Sequence, residues 1–274
     1  MITACAELGD HEGVSEGSAI DVTTPSTARI YDFLLDGKDN FAADREAAAR
    51  LLEASPSAKA MAQGNRRFMV RAVRVLAEAG VRQFIDLGTG IPTSPNVHEV
   101  ARRIHPDARV VYVDHDPIVM AHNRALRARP EGVAAIEGDV RRPQQILDHP
   151  EVRELIDFDR PVGVLCLAVL HFVSDEEDPD GVLAALRARM APGSHLVMST
   201  TSSEGFSDEE VEAITGSYTG VTSGLTLRSR ARIERFFDGL ELLKPGVVDI
   251  FKWRADEPLV EGGKLLAGVA RKNA

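Results

Sequence analysis

Cysteine and aromatic residues are scarce in this 274-residue chain, which holds two cysteines and 5% aromatic residues. Cys5 lies in an expected N-terminal tail and Cys166 in an apolar run that predicts a buried strand. Neither cysteine has other metal-ligating residues at the spacing of a metal site, and two cysteines placed in this way do not indicate a disulfide framework. We therefore expect no disulfide and no metal site, and aliphatic side chains must do most of the packing.

A net positive charge and long apolar runs are lacking as well. The net charge is −10, and nucleic-acid affinity rests largely on Lys and Arg neutralising phosphates, so a nucleic-acid partner is not expected. No apolar run approaches the ~20 residues of a membrane span. Residues 1–17 show no basic and apolar stretch of the kind that opens a secretory signal. We expect a cytoplasmic protein without a membrane partner, and the sequence leaves its oligomeric state open.

Helical and strand patterns divide the chain. Residues 1–22 are short of large apolar side chains, which predicts a flexible tail, and residues 23–80 predict helices without strands. The first helix should begin near Thr24–Ser26 and end at Gly37. From residue 81 to 274 strands alternate with helices, which predicts parallel pairing. The last two strand patterns have no room for a long helix between them, so they predict antiparallel pairing.

Four predicted strands end in polar or glycine-containing segments. The first runs into Asp86-Leu87-Gly88-Thr89-Gly90, where glycines let the backbone turn tightly and approach a ligand. The others end at Asp114, at Gly138-Asp139-Val140 and at Leu167-Ala168-Val169-Leu170-His171. Because the carboxyl ends of parallel strands meet at one edge of a sheet, we expect these segments to form one ligand crevice.

The charge of this crevice favours one ligand class over another. It contains four acids, Asp86, Asp114, Asp116 and Asp139, and its glycine turn has no Lys or Arg. A dinucleotide brings a pyrophosphate, which needs helix N-termini and basic groups, and the third glycine position of its fingerprint falls here on Thr93, after Pro92. S-adenosylmethionine instead brings an ammonium and a sulfonium, which carboxylates suit. The residues therefore favour S-adenosylmethionine over NAD.

The motifs IDLGTG, VDHDP, EGDVRRP and LAVLHF resemble the successive motifs of class I methyltransferases. ARIYDFLLDGKDNFAADREAA and NRRFMVRAV are similar to a narrower group, the S-adenosyl methyltransferase family of high-GC bacteria, long catalogued as a domain of unknown function. The resemblance runs from about Thr27 to the C-terminus. It implies a Rossmann-like α/β fold: a mostly parallel seven-stranded sheet with an antiparallel C-terminal strand and an N-terminal helical cap. We expect one domain over 23–274, with the cap over 23–80 and the core over 81–274.

The resemblance also implies roles for residues of the crevice. The methionine end of the cofactor would be lined by Asp86, Gly88, Thr89 and Gly90. Asp114 would hold the ribose, and His115 or Asp116 would lie beside the adenine, which Gly138, Asp139 and Val140 would contact. The segment from Ala168 to His171, which includes Val169, would lie under the methyl group that is transferred. Pro92 stands where many class I enzymes have a third glycine, which makes the turn stiffer.

Several of these residues also have structural interpretations. Asp86 could cap the following helix, and Asp116 is better explained as the N-cap of the helix that begins at Pro117. His171 is a weak candidate for a general base, because its ordinary pKa lies near neutrality. A histidine at a strand end more often orients a loop.

Polar residues of the helical cap offer further candidates. Tyr31, Asp32, Lys38 and Asn40 surround the end of the first helix, where they form either a lid over the crevice or a local cap. Asn65 and Arg66 either face the crevice, where Arg can pair with a carboxylate, or lie on the surface.

The expected function is methyl transfer from S-adenosylmethionine to a small-molecule acceptor. Such a transfer requires mainly that donor and acceptor be held in line. The sequence shows none of three features that would indicate the acceptor: an Asn-Pro-Pro-Tyr-like motif for the amino groups of bases, a metal-binding cluster for catechols, or a cysteine nucleophile. A non-catalytic, S-adenosylmethionine-binding regulatory protein is therefore the alternative, and a Rossmann dehydrogenase is disfavoured by the acids and Pro92.

Overall fold

The computed structural model describes residues 21–127, 131–255 and 264–274. The flexible tail predicted for residues 1–22 thus falls, up to residue 20, outside the described residues, as does Cys5. Three helices precede the first strand: α1 Thr27–Leu34, α2 Ala42–Ala54 and α3 Ala58–Glu78. The prediction of helices without strands before residue 81 is confirmed over the described part of that segment.

Helix α1 ends in a different way from the one predicted. Asp36, rather than Gly37, takes the left-handed conformation, with φ of 61°, and the Gly37 N–H donates to the Asp32 carbonyl at 2.9 Å. This is a Schellman arrangement with glycine one position after the left-handed residue. The Asp32 carboxylate accepts from the Asp39 N–H at 2.9 Å and the Asn40 amide at 2.8 Å. Asp32 and Asn40 therefore form a local cap.

An eight-stranded sheet follows. Its strands are β1 Gln83–Leu87, β2 Arg109–Asp114, β3 Val133–Glu137, β4 Gly163–Leu167, β5 His195–Thr201, β6 Glu241–Leu242, β7 Val248–Asp249 and β8 Leu265–Arg271. The strand order is β3-β2-β1-β4-β5-β8-β6, and β7 also pairs with β8. Strands β1 to β5 pair in parallel, whereas β8 is antiparallel to β5, β6 and β7.

The predicted α/β class and the antiparallel C-terminal strand are confirmed, and the number of strands differs by one. The sequence predicts seven strands, and the eighth is β6, which has two residues and is exposed. Such a short exposed segment has no alternation of apolar and polar side chains from which a strand could be predicted.

Helices connect the strands. They are α4 Val97–Ala101, α5 Pro117–Arg127, α6 Pro143–Leu147, α7 Pro150–Leu155, α8 Pro179–Arg189, α9 Asp208–Gly216 and α10 Arg230–Arg235, with 3-10 turns at Leu170–Phe172 and Asp175–Glu177. Helices α6 and α7 were not predicted, because five and six residues are too few to show a helical period. Over the described residues, no helix combines the length and the apolar character that crossing a membrane requires.

Apolar side chains cover both faces of the sheet. Strand β1 is buried along its whole length, and its Phe84 packs on the α3 side while Ile85 packs on the other. A separate apolar cluster joins α1, α2 and α3 through residues such as Ile30 and Leu51. These contacts hold the three N-terminal helices together, and α3 in turn packs on one face of the sheet.

A buried ion pair fastens α1 to α2. Arg29 Nε lies 2.9 Å from an Asp44 carboxylate oxygen, and the two side chains are 3% and 0% exposed. Asp44 also accepts from the Ser26 N–H at 2.9 Å and the Phe41 N–H at 2.8 Å. Its oxygens are thus satisfied by backbone donors as well as by the guanidinium, which is the condition for tolerating a buried charge.

Candidate functional site

A cavity opens where β1, β2, β3 and β4 end, and we call it the first cavity. It encloses about 1040 Å³ when the solvent-filled mouth is included. It is lined by every predicted binding residue except Lys38: Tyr31, Asn65, Arg66, Asp86, Gly88, Thr89, Gly90, Asp114, His115, Asp116, Gly138, Asp139, Val140, Ala168 and Val169. The expectation that the four strand ends meet in one crevice is confirmed.

The glycine turn after β1 is closed on one side and open on the other. Gly88 and Gly90 have φ of 65° and 66°, a conformation that other residues rarely adopt. A Cβ on Gly88 would lie 2.5 Å from Val169 Cγ2, whereas a Cβ on Gly90 would meet no atom within 4 Å. The turn therefore packs tightly against the segment after β4 and leaves space at Gly90.

Asp114, at the end of β2, shapes this turn. It is buried, and its carboxylate accepts from the Gly90 N–H at 2.8 Å and the Asp116 N–H at 3.0 Å. Burial raises the pKa of Asp114 above its usual value, against the effect of these two bonds. The side chain thus joins the turn after β1 to the end of β2, and both meet at the cavity.

Asp86 is the second buried acid of the cavity. Its Oδ2 accepts from the Thr89 hydroxyl at 3.1 Å, and burial raises its pKa to about 6, opposed by the positive charge of Arg66. Helix α4 begins only at Val97, and its N-terminus is closed by a capping box of Asn96 and Glu99. The interpretation of Asp86 as a helix cap is therefore wrong.

Arg66 and Asn65 face the cavity from α3. The Arg66 guanidinium donates to the carbonyls of Thr93 and Pro95, in the loop after the glycine turn. Asn65 is 3% exposed; it donates to the Tyr31 hydroxyl at 3.0 Å and accepts from the Ser199 hydroxyl at 2.6 Å. The alternative that these two residues lie on the surface is thus wrong. Tyr31 is fixed in the cavity wall by the bond from Asn65 and by its own donation to the Ala62 carbonyl at 3.1 Å.

Asp116 has the structural role expected from its position. One carboxylate oxygen accepts from the Ile118 N–H at 2.8 Å, within the first turn of α5. The other lies 2.5 Å from the Ser26 hydroxyl, which donates to it. Asp116 is thus an N-cap, as predicted, and it also ties the segment before α1 to the end of β2.

Asp139 lies at the mouth of the cavity and is paired. It accepts from the Arg141 backbone N–H and from the Arg141 Nε, both at 2.9 Å. Although partial burial opposes the change, these bonds hold the pKa of Asp139 below its usual value. Arg141 also contacts Glu177 at 2.7 Å, so the mouth is bordered by a small charged network.

The end of β4 is strained. Ala168 has φ of 56°, and a non-glycine residue in such a conformation costs of the order of 1–3 kcal/mol. Its N–H donates to the Ser199 carbonyl and the Ser199 hydroxyl, each at 3.0 Å. Because Ala168 lines the cavity, this strain lies at the candidate site, where strained residues tend to cluster.

Lys38 and His171 do not line the first cavity, and neither do Asp32 and Asn40 of the local cap. Lys38 is exposed in the loop after α1. His171 is buried, and its Nδ1 accepts from the Thr201 N–H at 3.3 Å. Burial lowers the pKa of His171 to about 3, and the charge of Arg228 adds to the effect. Near neutral pH the proton therefore sits on Nε2 and the other nitrogen is engaged, which argues against a general base.

Leu167 and Phe172 lie in the predicted segment after β4, whereas the sequence missed other lining residues: Thr27, Ala28, Met69, Arg141, Val173 and Ser223. Helical spacing could have found three of them. Thr27 and Ala28 lie one turn before Tyr31 on α1, and Met69 lies one turn after Asn65 on α3. Ser223 comes from a loop without a local pattern. Over the described residues, no group of three or more His, Cys, Asp or Glu side chains is placed to hold a metal.

Known proteins match nearly the whole chain. The model of the S-adenosyl methyltransferase family matches residues 14–273. The crystal structure of a candidate methyltransferase from Thermobifida fusca YX is 42% identical with a TM-score of 0.88, covering 96% of this chain and 100% of that one. A DUF574 family protein from Streptomyces avermitilis MA-4680 is 42% identical with a TM-score of 0.87, covering 92% and 99%.

A curated relative matches a shorter stretch. An ornithine lipid N-methyltransferase from Singulisphaera acidiphila is 33% identical over 82 residues, which are 30% of this chain and 42% of that enzyme. The match thus spans less than half the length of that relative.

Proposed function

The chain belongs to the S-adenosyl methyltransferase family, and we propose that it binds S-adenosylmethionine in the first cavity and transfers the methyl group to a small-molecule acceptor. The observation that carries this proposal is the convergence of the ends of β1, β2 and β3, each with an aspartate, on one cavity. S-adenosylmethionine carries two positive charges, which carboxylates attract, and a ribose, whose hydroxyls can donate hydrogen bonds to a carboxylate.

The buried acids fit the two halves of the cofactor. Asp114 accepts one backbone N–H on each of its oxygens, and each oxygen keeps a lone pair for a ribose hydroxyl. Asp86 is buried at the methionine end, where its carboxylate would pair with the ammonium. We assign Asp139 and the Val140 backbone to the adenine, because they line the same cavity beyond Asp114.

The glycine turn and Arg66 fit the carboxylate end. Gly90 borders space in which an added Cβ would meet no atom, so the backbone can be approached closely. Arg66 is held over this region by the Thr93 and Pro95 carbonyls and would pair with the cofactor's carboxylate. The turn and this guanidinium would therefore orient the methionine part in the cavity.

When bound, S-adenosylmethionine supplies a methyl group that its sulfonium already activates. The chain's own contribution would be to hold the acceptor in line with the methyl group, which does not by itself require a general base. Ala168 and Phe172 would border the methyl group, because they line the cavity at the end of β4.

Calorimetric titration tests the cofactor. We expect S-adenosylmethionine and S-adenosylhomocysteine to bind and NAD not to bind. Asp114→Asn, which places an amide against the Gly90 and Asp116 N–H groups, should weaken binding by about tenfold or more, the size of a lost charged hydrogen bond. Asp107→Asn is the matched control, because this acid is 69% exposed and pairs with Arg82 at the surface.

Thermal unfolding of both variants shows whether they remain folded. Absence of adenosyl binding by the unchanged protein would overturn the proposal, and binding of NAD instead would restore the dehydrogenase interpretation. Methyl transfer is then measured with S-adenosylmethionine labelled in the methyl group and a panel of small acceptors. Binding without transfer to any of them would favour the regulatory alternative.

A further inference from the structure

A second cavity lies directly behind one wall of the first. Four residues line both cavities: Thr27, Tyr31, Ala168 and Phe172. The second cavity encloses about 690 Å³ including its mouth. A molecule in it would be separated from the first cavity only by this shared wall, which includes the strained residue at the end of β4.

Most of the lining of the second cavity is apolar. Its walls come from α1, α2, α3, α9, the end of β5 with the loop after it, the segment around residue 225 and the start of β8. They include Leu34, Leu51, Met61, Phe206, Ile214 and Leu227. The N-terminal helices thus form the wall opposite the sheet. A lining of this kind favours a largely apolar occupant.

The two cavities differ in charge. The first is lined by four aspartates, whereas the described lining of the second includes no Asp or Glu and one Lys, Lys264. The Lys264 ammonium lies over the Phe206 ring, 5.2 Å from its centroid. Its backbone is fixed, because the Ser202 N–H donates to the Lys264 carbonyl at 2.8 Å.

The other titratable groups of this lining are neutral. Burial lowers the pKa of His171 to about 3, so the imidazole is uncharged, and burial raises the pKa of the Tyr218 hydroxyl above its usual value. Tyr31 behaves in the same way, since burial raises its pKa too. The described lining therefore carries a single positive charge, that of Lys264.

Lys264 lies away from the shared wall. The backbone N–H of Lys264 donates to the Met61 sulfur at 3.3 Å, and of the two cavities Met61 lines only the second. Asn65, one helical turn further along α3, lines the first. An occupant whose charged end lay at Lys264 would therefore extend towards the first cavity with its other end.

We propose that the second cavity is the acceptor site and that it takes an apolar molecule with one negative charge, paired with Lys264. This proposal rests on the proposed function. In the transfer, the acceptor's nucleophilic atom forms a bond to the methyl carbon as the carbon–sulfur bond breaks. The electron pair stays on sulfur, and any proton on the attacking atom leaves to water.

The test compares acids with neutral analogues of the same shape. Octanoate and 2-naphthoate, each beside the matching alcohol (1-octanol and 2-naphthalenemethanol), are titrated into protein saturated with S-adenosylhomocysteine. We expect each acid to bind about tenfold or more tightly than its alcohol, as expected of a hydrogen bond between charged groups. Lys264→Gln should remove this preference and leave alcohol binding within about twofold, since the lost pairing concerns the acid alone. Lys244→Gln, a change at an exposed lysine that lines neither cavity, should have no effect.

Acids and alcohols of equal affinity for the unchanged protein would overturn the proposal, and so would an acid preference that survives Lys264→Gln. The same titrations separate the two levels of inference. Failure of S-adenosylhomocysteine to bind overturns the proposed function, and the acceptor role with it. Its normal binding, with acids and alcohols indistinguishable, overturns only the acceptor site.

Discussion

Lowering the pH from 7 to 5 should weaken the binding of S-adenosylmethionine, because the Asp86 carboxyl takes up a proton. Burial raises the pKa of Asp86 to about 6, and a cation binds the carboxylate form. If binding requires ionised Asp86, the apparent Kd at pH 5 is about elevenfold higher than the Kd of the fully ionised protein. At pH 7 it is higher by only about a tenth. The loss over this range is about tenfold, or about 1.4 kcal/mol.

The same proton also affects the stability of the free protein, and its effect on the pH dependence is opposite to that of most aspartates. The pKa of Asp86 rises from 3.8 in the unfolded chain to about 6 in the folded one, so the folded state holds the proton more tightly. Its contribution to stability is fully present below about pH 4 and is lost as the pH rises through about 6. A difference of about two pKa units corresponds to roughly 3 kcal/mol.

The assay is calorimetric titration at half-unit steps from pH 5 to pH 7.5. Over this range the cofactor's amino group stays mostly protonated and its carboxyl stays ionised, so the cofactor contributes little to the slope. Asp86→Asn should give a flat profile, and His115→Gln, which removes the imidazole beside Asp114, should keep the slope. A flat profile in the unchanged protein, or an unchanged slope in Asp86→Asn, would refute the reasoning.

Urea unfolding tests two contacts, each against a matched control. Gly88→Ala should destabilise the protein by about 1–3 kcal/mol, because φ is 65° and the new methyl meets Val169; Gly216→Ala, whose methyl meets no atom within 4 Å, should be neutral or stabilising. Arg29→Met should cost about 3–5 kcal/mol by leaving the Asp44 charge buried and unpaired. Arg82→Met, at a pair about half exposed, should cost at most about 1 kcal/mol, and similar losses for the two would contradict the burial argument.

The carboxyl edge of the sheet could be predicted because two kinds of local information agree there. Each apolar run predicts a strand, and the alternation with helices predicts parallel pairing, which brings the ends of β1 to β4 together. The position of Asp114 thus followed from its place after an apolar run. No tertiary contact had to be known in advance.

Other features depend on contacts that have no local pattern. Lys38 is a candidate because it follows α1, yet it is exposed and does not line the first cavity. The second cavity joins residues more than 200 positions apart, such as Met61 and Lys264. The low pKa of His171 comes from burial and from Arg228, which is distant in the sequence. Only the folded chain shows these relations.

The two cavities draw on different parts of the chain, and this separation bears on how the protein can evolve. The first depends on backbone turns and buried acids at the strand ends, where a change disturbs the sheet itself. Apart from the shared wall, the lining of the second includes aliphatic side chains on helices α1, α2, α3 and α9, namely Leu34, Leu51, Ala62 and Ile214. Swaps among aliphatic side chains of similar volume usually cost less than about 1.5 kcal/mol. Under the proposed assignment of the two cavities, substitutions in these helices would change the acceptor while the proposed cofactor cavity stays unchanged.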